Sequence, residues 1–109
     1  MSKELIIEVS EKMISQLEEM NNQLENSLTQ SKARHSESKT RYDILVNARN
    51  SSENPVKNNI NELFSLDALE KEVEQFKKSS DNLQLERDKV VNANNKVIEY
   101  IKNNILNPN

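Results

Sequence analysis

An all-α fold, an antiparallel two-helix coiled-coil hairpin, is what this sequence predicts, and three observations carry that reading. Glycine is absent from all 109 residues, where average usage gives about eight. Only two prolines occur, Pro55 and Pro108, so backbone breaks are confined to the middle and the end of the chain. On either side of the middle break, apolar residues recur at steps of three and four, the spacing of one helix face. Sheet folds and nucleotide-binding α/β folds need turns with positive φ, which glycine normally supplies, so the composition argues against them. Without cysteine, disulfide and thiolate-metal frameworks are excluded as well.

The first helix is expected over residues 3–50. Its apolar line reads Ile6, Val9, Met13, Leu17, Met20, Leu24 and Leu28, then Ser31, His35, Ser38, Tyr42 and Leu45. The steps run 3-4-4 twice before settling into heptads at Leu28, and an eleven-residue repeat favours a straight or slightly right-handed seam. Arg49 suits the negative end of the helix dipole. The sequence alone leaves open whether this helix runs unbroken through the almost wholly polar residues 29–41. A loop is expected over 51–58, because Pro55 has no N–H and holds Asn54 away from the α region.

The second helix is expected over 59–106, or 60–106, with Asn59, Ser65 and Asp67 as successive N-cap choices and Pro108 as its end. Its heptad line is strict: Leu66, Leu69, Val73, Phe76, Ser80, Leu83, Arg87, Val90, Asn94, Val97 and Ile101. Pairs four apart support both helices, namely Glu8–Lys12, Glu37–Arg41, Asp67–Lys71 and Glu74–Lys78. Each helix would be about 70 Å long.

Folding back near Pro55 brings together residues whose numbers total about 108, such as Leu45 with Leu63, Tyr42 with Leu66, Leu17 with Val90 and Ile6 with Ile101. Charge agrees with that turn. Residues 1–31 carry a net −4, 32–49 +3, 62–74 −4 and 75–109 +2, so the hairpin sets opposite signs against each other. Arg34–Glu74, Glu37–Lys71, Arg41–Asp67 and Glu11–Lys96 are the expected cross-helix neighbours. Each exposed pair is worth ~0.2–1 kcal/mol, enough to choose a register but too little to hold the fold.

A single hairpin over residues 1–109 has one seam and little core, so it is expected to join a helical bundle, either with a second copy or with other subunits. A second apolar stripe beside the seam, Ile7, Ile14, Val91, Ile98 and Ile105, is the candidate partner interface. Polar residues on the seam itself, His35, Ser80, Arg87 and Asn94, are the candidates for specifying register and oligomeric state, at some cost in stability.

Chemistry finds little to work with. His35 is the single histidine, so His- or Cys-based metal sites are excluded, and Ser31 and Ser38 beside it lack an acidic third member and a pocket. No phosphate-binding glycine loop exists, and no cofactor is implied. The basic residues Lys32, Arg34, Lys39 and Arg41 lack interleaved aromatics, and the net charge of −3 disfavours nucleic acid as a main partner. The longest apolar run is three residues, Leu5-Ile6-Ile7, so no transmembrane segment is expected. With no secretory signal, an intracellular, cytoplasmic location is expected, a nuclear one also being open. The sequence therefore points to a non-enzymatic coiled-coil interaction protein, a small structural or adaptor subunit of a larger assembly. A small helical chaperone or inhibitor of a client protein is the first alternative. A dimeric bundle binding nucleic acid through residues 32–41 is the second.

Overall fold

The structure is a computed structural model that describes residues 2–107. Pro108, expected to end the second helix, lies outside the described residues. Among the described residues the elements are helical throughout: α1 (Lys3–Asn50), α2 (Asn54–Phe64), α3 (Leu66–Ile101) and a π-helical turn, Lys102–Leu106.

α1 spans 48 residues without a break, including the polar stretch 29–41. That stretch holds neither glycine nor proline, and its lysine, arginine, glutamine and glutamate residues are good helix formers. The Glu37–Arg41 ion pair at 3.3 Å bridges one turn there, as Glu8–Lys12 does at 3.3 Å near the start. Ser2 Oγ accepts the Leu5 N–H at 3.1 Å and so satisfies one of the free donors of the first turn. At the other end Ser51 and Ser52 donate their hydroxyls to the Asn47 and Ala48 carbonyls, at 2.9 and 2.7 Å.

The loop expected over 51–58 is only three residues long, because Pro55 opens a helix instead of prolonging the loop. Proline's fixed φ already matches the first helical turn, and its missing N–H would have had no partner there. Glu53, extended at φ −71° and ψ 158°, precedes α2, and its carbonyl accepts the Lys57 N–H at 2.9 Å. Asn59, offered by the sequence as a cap, therefore sits inside α2.

The second helix expected from 59 to 106 is likewise not continuous. Ser65 takes the left-handed conformation, φ 48° and ψ 57°, and closes α2. Its carbonyl then accepts the N–H groups of Ala68 and Leu69, at 2.9 and 3.1 Å, to start α3. A left-handed residue after a helix is the usual C-terminal cap, normally filled by glycine. This chain has none, so serine bears the strain. The α-helix also stops at Ile101 rather than 106. Asn107 N–H bonds to the Lys102 carbonyl at 2.8 Å, five residues back, and Asn104 donates its side-chain amide to the Tyr100 carbonyl at 3.0 Å. Asn103 and Asn104 favour α-helix weakly, which lets the end relax into the wider turn.

The chain divides into two compact units, the first made of Met1–Leu28 with Leu83–Asn109 and the second of Thr29–Asn82. In the first unit the inward line of α1 is Ile7, Ser10, Ile14, Leu17, Asn21, Leu24 and Leu28, a strict heptad. The expected line through Val9, Met13 and Met20 is corrected: these are 45%, 40% and 45% exposed. The two lines differ by one residue, about 100° around the helix. The small Ser10, only 4% exposed, allows close approach where the bulkier line would hold the helices apart.

On α3 in the same unit the inward residues are Leu83, Gln84, Arg87, Val90, Val91, Asn94, Ile98 and Ile101, so the heptad slips from Val97, which is 41% exposed, to Ile98, 8% exposed. A straight helix falls behind a seven-residue repeat by about 20° per heptad. Over the five heptads from Leu66 to Ile101 that amounts to about one residue. Contacts across the first unit run antiparallel, with Asn21 on Asn94 and Asn95 and Glu25 on Arg87. Their numbers total 112 to 116 rather than about 108, roughly one to two turns from the expected register.

In the second unit Leu66 and Ser80 are buried, and His35, Ser38, Tyr42, Leu45, Leu69, Val73 and Phe76 are half-buried. Arg49 donates to the Asn61 side chain at 3.3 Å. The expected contact of Leu45 with Leu63 is corrected, because Leu63 is 79% exposed. The break at Ser65 turns α2 out of phase with the α3 seam.

Relieving the left-handed strain gives a direct check. Ser65→Gly is expected to raise stability toward urea by up to about 1 kcal/mol, and Ser65→Val to lower it by about 1–2 kcal/mol. Helical circular dichroism followed through urea unfolding reads both changes.

Candidate functional site

Two features of the first unit stand out: a polar clasp within its seam and an apolar face beside it. Asn94, 8% exposed, donates its amide to Asn21 Oδ1 at 2.9 Å, and Asn21 donates its own amide to Asn95 Oδ1 at 3.0 Å. One turn further along, Arg87 reaches across to Glu25. The same guanidinium holds Asp88 at 3.0 Å, and Gln84 donates to Asp88 at 2.9 Å. The hydrogen bonds that the Arg87 guanidinium donates to Asp88, and then to Glu25, raise it above the ordinary arginine range.

The candidate polar seam residues thus have different settings. Asn94 and Arg87 make bonds between the helices of the first unit. Ser80 is buried at 6% exposure in the second. His35 is half-buried there, and its carbonyl accepts the Ser38 hydroxyl at 2.9 Å. That bond ties Ser38 to the backbone rather than to the imidazole. Asn21 and Glu25, the partners that complete the clasp, were missed in the sequence. Asn21 carries a position seven from Ile14 and Leu28, a signal hidden by the neighbouring Met20.

The candidate interface residues Ile7, Ile14, Val91 and Ile105 are half-buried, and Ile98 is buried. Besides Leu85, which lies on the back of α3, what the first unit leaves outside is a different set: Leu5, Val9, Met13 and Met20 on α1 with Val97 and Tyr100 on α3, all at least 40% exposed. At 3.6 residues per turn the four α1 residues fall within about 80° of one another, and the two on α3 within about 60°. Both stripes lie on the same rotational side of their seams. Because the helices pair in opposite directions, the stripes therefore share one face. A groove lined by Met20, Gln23, Leu24, Ser27, Glu86 and Val90 continues from the Met20 end of the α1 stripe. In the sequence Val9, Met13, Met20 and Val97 read as the seam itself, which hides this face.

The second unit has a separate groove, about 600 Å³, lined by residues that include Arg41, Ile44, Leu45 and Phe64. Its basic residues Lys32, Arg34, Lys39 and Arg41 are exposed, Arg41 being paired with Glu37. Arg34 and Arg41 border a hollow that also holds Glu37, Glu72 and Phe76. Among the described residues no group of three or more His, Asp or Glu side chains is placed to hold a metal ion. Among them, too, no helix is long and apolar enough to cross a membrane.

The class these features define is that of an all-helical protein with a polar seam and an uncovered apolar face. Comparison with protein-family models, with curated proteins and with solved structures finds no match for the chain.

Two predictions follow from the clasp. Asn94→Leu alone strands Asn21 Oδ1 and is expected to lower stability by about 1 kcal/mol, whereas Asn21→Leu with Asn94→Leu regains or exceeds the starting value. Urea unfolding of the three chains decides this. Glu25→Ala is expected to lower the thermal midpoint at low salt and to have a smaller effect at about 1 M salt, where exposed pairs are screened.

Proposed function

We propose that the chain is a non-enzymatic interaction protein: an antiparallel helical hairpin that serves as a structural or adaptor subunit by laying the apolar face of its first unit against another protein. The observation that carries this reading is the imbalance of apolar surface. Four apolar side chains are buried among the described residues, Leu28, Leu66, Ile98 and Ile101, while eleven large ones are exposed. A folded chain that buries so little of its apolar complement gains most from burying the rest against a partner. Six of the eleven lie on the one face of the first unit, which favours a specific surface over scattered exposure.

The polar clasp supports the same reading. Asn21 and Asn94 cost stability relative to apolar residues but penalise every helix register that leaves their amides unpaired. That is a property of a protein selected for which surface it presents. Catalysis has no comparable support, since Ser38 is bonded to the backbone beside the one histidine.

Replacing Met13 by a photo-crosslinking amino acid in the cell of origin tests the proposal. Covalent adducts with protein are expected from position 13, and none with nucleic acid from the same group placed at Lys39. Absence of protein adducts at position 13, together with nucleic-acid adducts at 39, would overturn it in favour of a nucleic-acid-binding bundle.

A further inference from the structure

The reading above leaves the partner open; resting on it, we infer that the apolar face of the first unit is covered by a second copy of this chain. The two copies sit face to face, the N-terminal half of α1 in one lying along the C-terminal half of α3 in the other.

Area, charge and level each point to that occupant. The chain exposes 8282 Å². A typical folded monomer of 12.6 kDa exposes about 6,200 Å², so roughly 2,000 Å² is in excess. A standard interface takes about 800 Å² from each partner, and an obligate homodimer takes more. Spread over the whole chain, the excess is of the size that a stable dimer buries.

Charge selects both a self-partner and its orientation. In the first unit residues 1–28, which supply the α1 side of the face, carry a net −4, while 83–109, which supply the α3 side, carry +1. A face with one acidic and one basic edge is complementary to itself under a two-fold rotation. Two such rotations bring the faces together. An axis across the helices sets α1 on α1, placing −4 against −4. An axis along the helices sets α1 on the α3 of the second copy, placing −4 against +1, and is the arrangement inferred.

The level of the residues then names an edge contact. Asn21 is bonded to Asn94 and Asn95, so Glu19 and Lys96 stand within a turn of the same height. Both are exposed, on the outer edges of their helices beside the apolar stripes. Within one chain those edges are opposite sides of the face. An axis along the helices preserves height and brings Glu19 of one copy beside Lys96 of the other, twice per dimer. Met13 and Met20 of each copy then stand at the height of Val97 and Tyr100 of the other and pack on them, closing a four-helix bundle.

The absence of native cysteine makes the arrangement directly readable. Light scattering on the native chain across a concentration series is expected to give twice 12.6 kDa, and Val97→Glu to raise the dimer dissociation constant at least about tenfold. Under mild oxidation, Glu19→Cys with Lys96→Cys is expected to yield a covalent dimer, and neither single variant alone. A helical monomer at every concentration overturns the inference, and so does a dimer linked by Glu19→Cys alone, which signals α1 on α1. These results are separable from failure of the functional reading. A monomer that still crosslinks to a different protein through position 13 sinks the self-association and leaves the interaction role standing.

Discussion

Two helices packed side by side meet along one line of side chains, and each residue on that line touches only the helix opposite. A third helix would close over the line and turn half-buried positions into buried ones. Here the consequence is visible residue by residue: Ile7, Ile14, Leu17 and Leu24 all point inward yet are only half-buried. Hydrophobic stabilisation scales with the area removed from water, so this geometry limits what each inward residue contributes. The other features of the chain follow from that shortage of cover.

Because the seam is thin, polar residues can be tolerated on it in number, Asn21 and Arg87 half-buried and Ser10 and Asn94 buried. Ser10, Asn21, Arg87 and Asn94 share the first unit's seam with isoleucine and leucine, and their amides, guanidinium and carboxylates find one another. In a thick core such groups would cost several kcal/mol unless fully paired. Here the bonds of Asn94 to Asn21 and of Arg87 to Glu25 satisfy them across the seam. That pairing in turn fixes which apolar residues are left over, and so the composition of the exposed face.

Much of the chain was legible from sequence because its signals are local. Pro55 marks the break, and α1 ends at Asn50 beside Arg49, as the dipole and the proline suggest. The seam of α3 through Leu66, Leu69, Val73, Phe76, Ser80, Arg87 and Asn94 follows its heptads. Legibility fails where two answers sit one residue apart. From Leu5 to Ile14 both candidate lines are rich in apolar residues, and hydrophobicity favours Val9 and Met13 over Ser10. Packing prefers the opposite, since close approach rewards a small residue. Ser65 was hidden for another reason: serine has no strong preference for the left-handed region, and only the change of phase between α2 and α3 requires it there. The uncovered face was unreadable until the line beside it had been assigned.

The left-handed Ser65 also separates two kinds of sequence information. Along an uninterrupted helix, adding or removing one residue rotates everything beyond it by about 100°. A single residue outside helical geometry resets that count, so the phase of α3 is set anew from Leu66 and does not inherit the phase of α2. The segment between Ser51 and Ser65 can therefore gain or lose residues without swinging Arg87, Asn94 or Ile98 off the seam. The stretch around Pro55 is free to diverge in length, whereas α3 must keep its residue count from beginning to end.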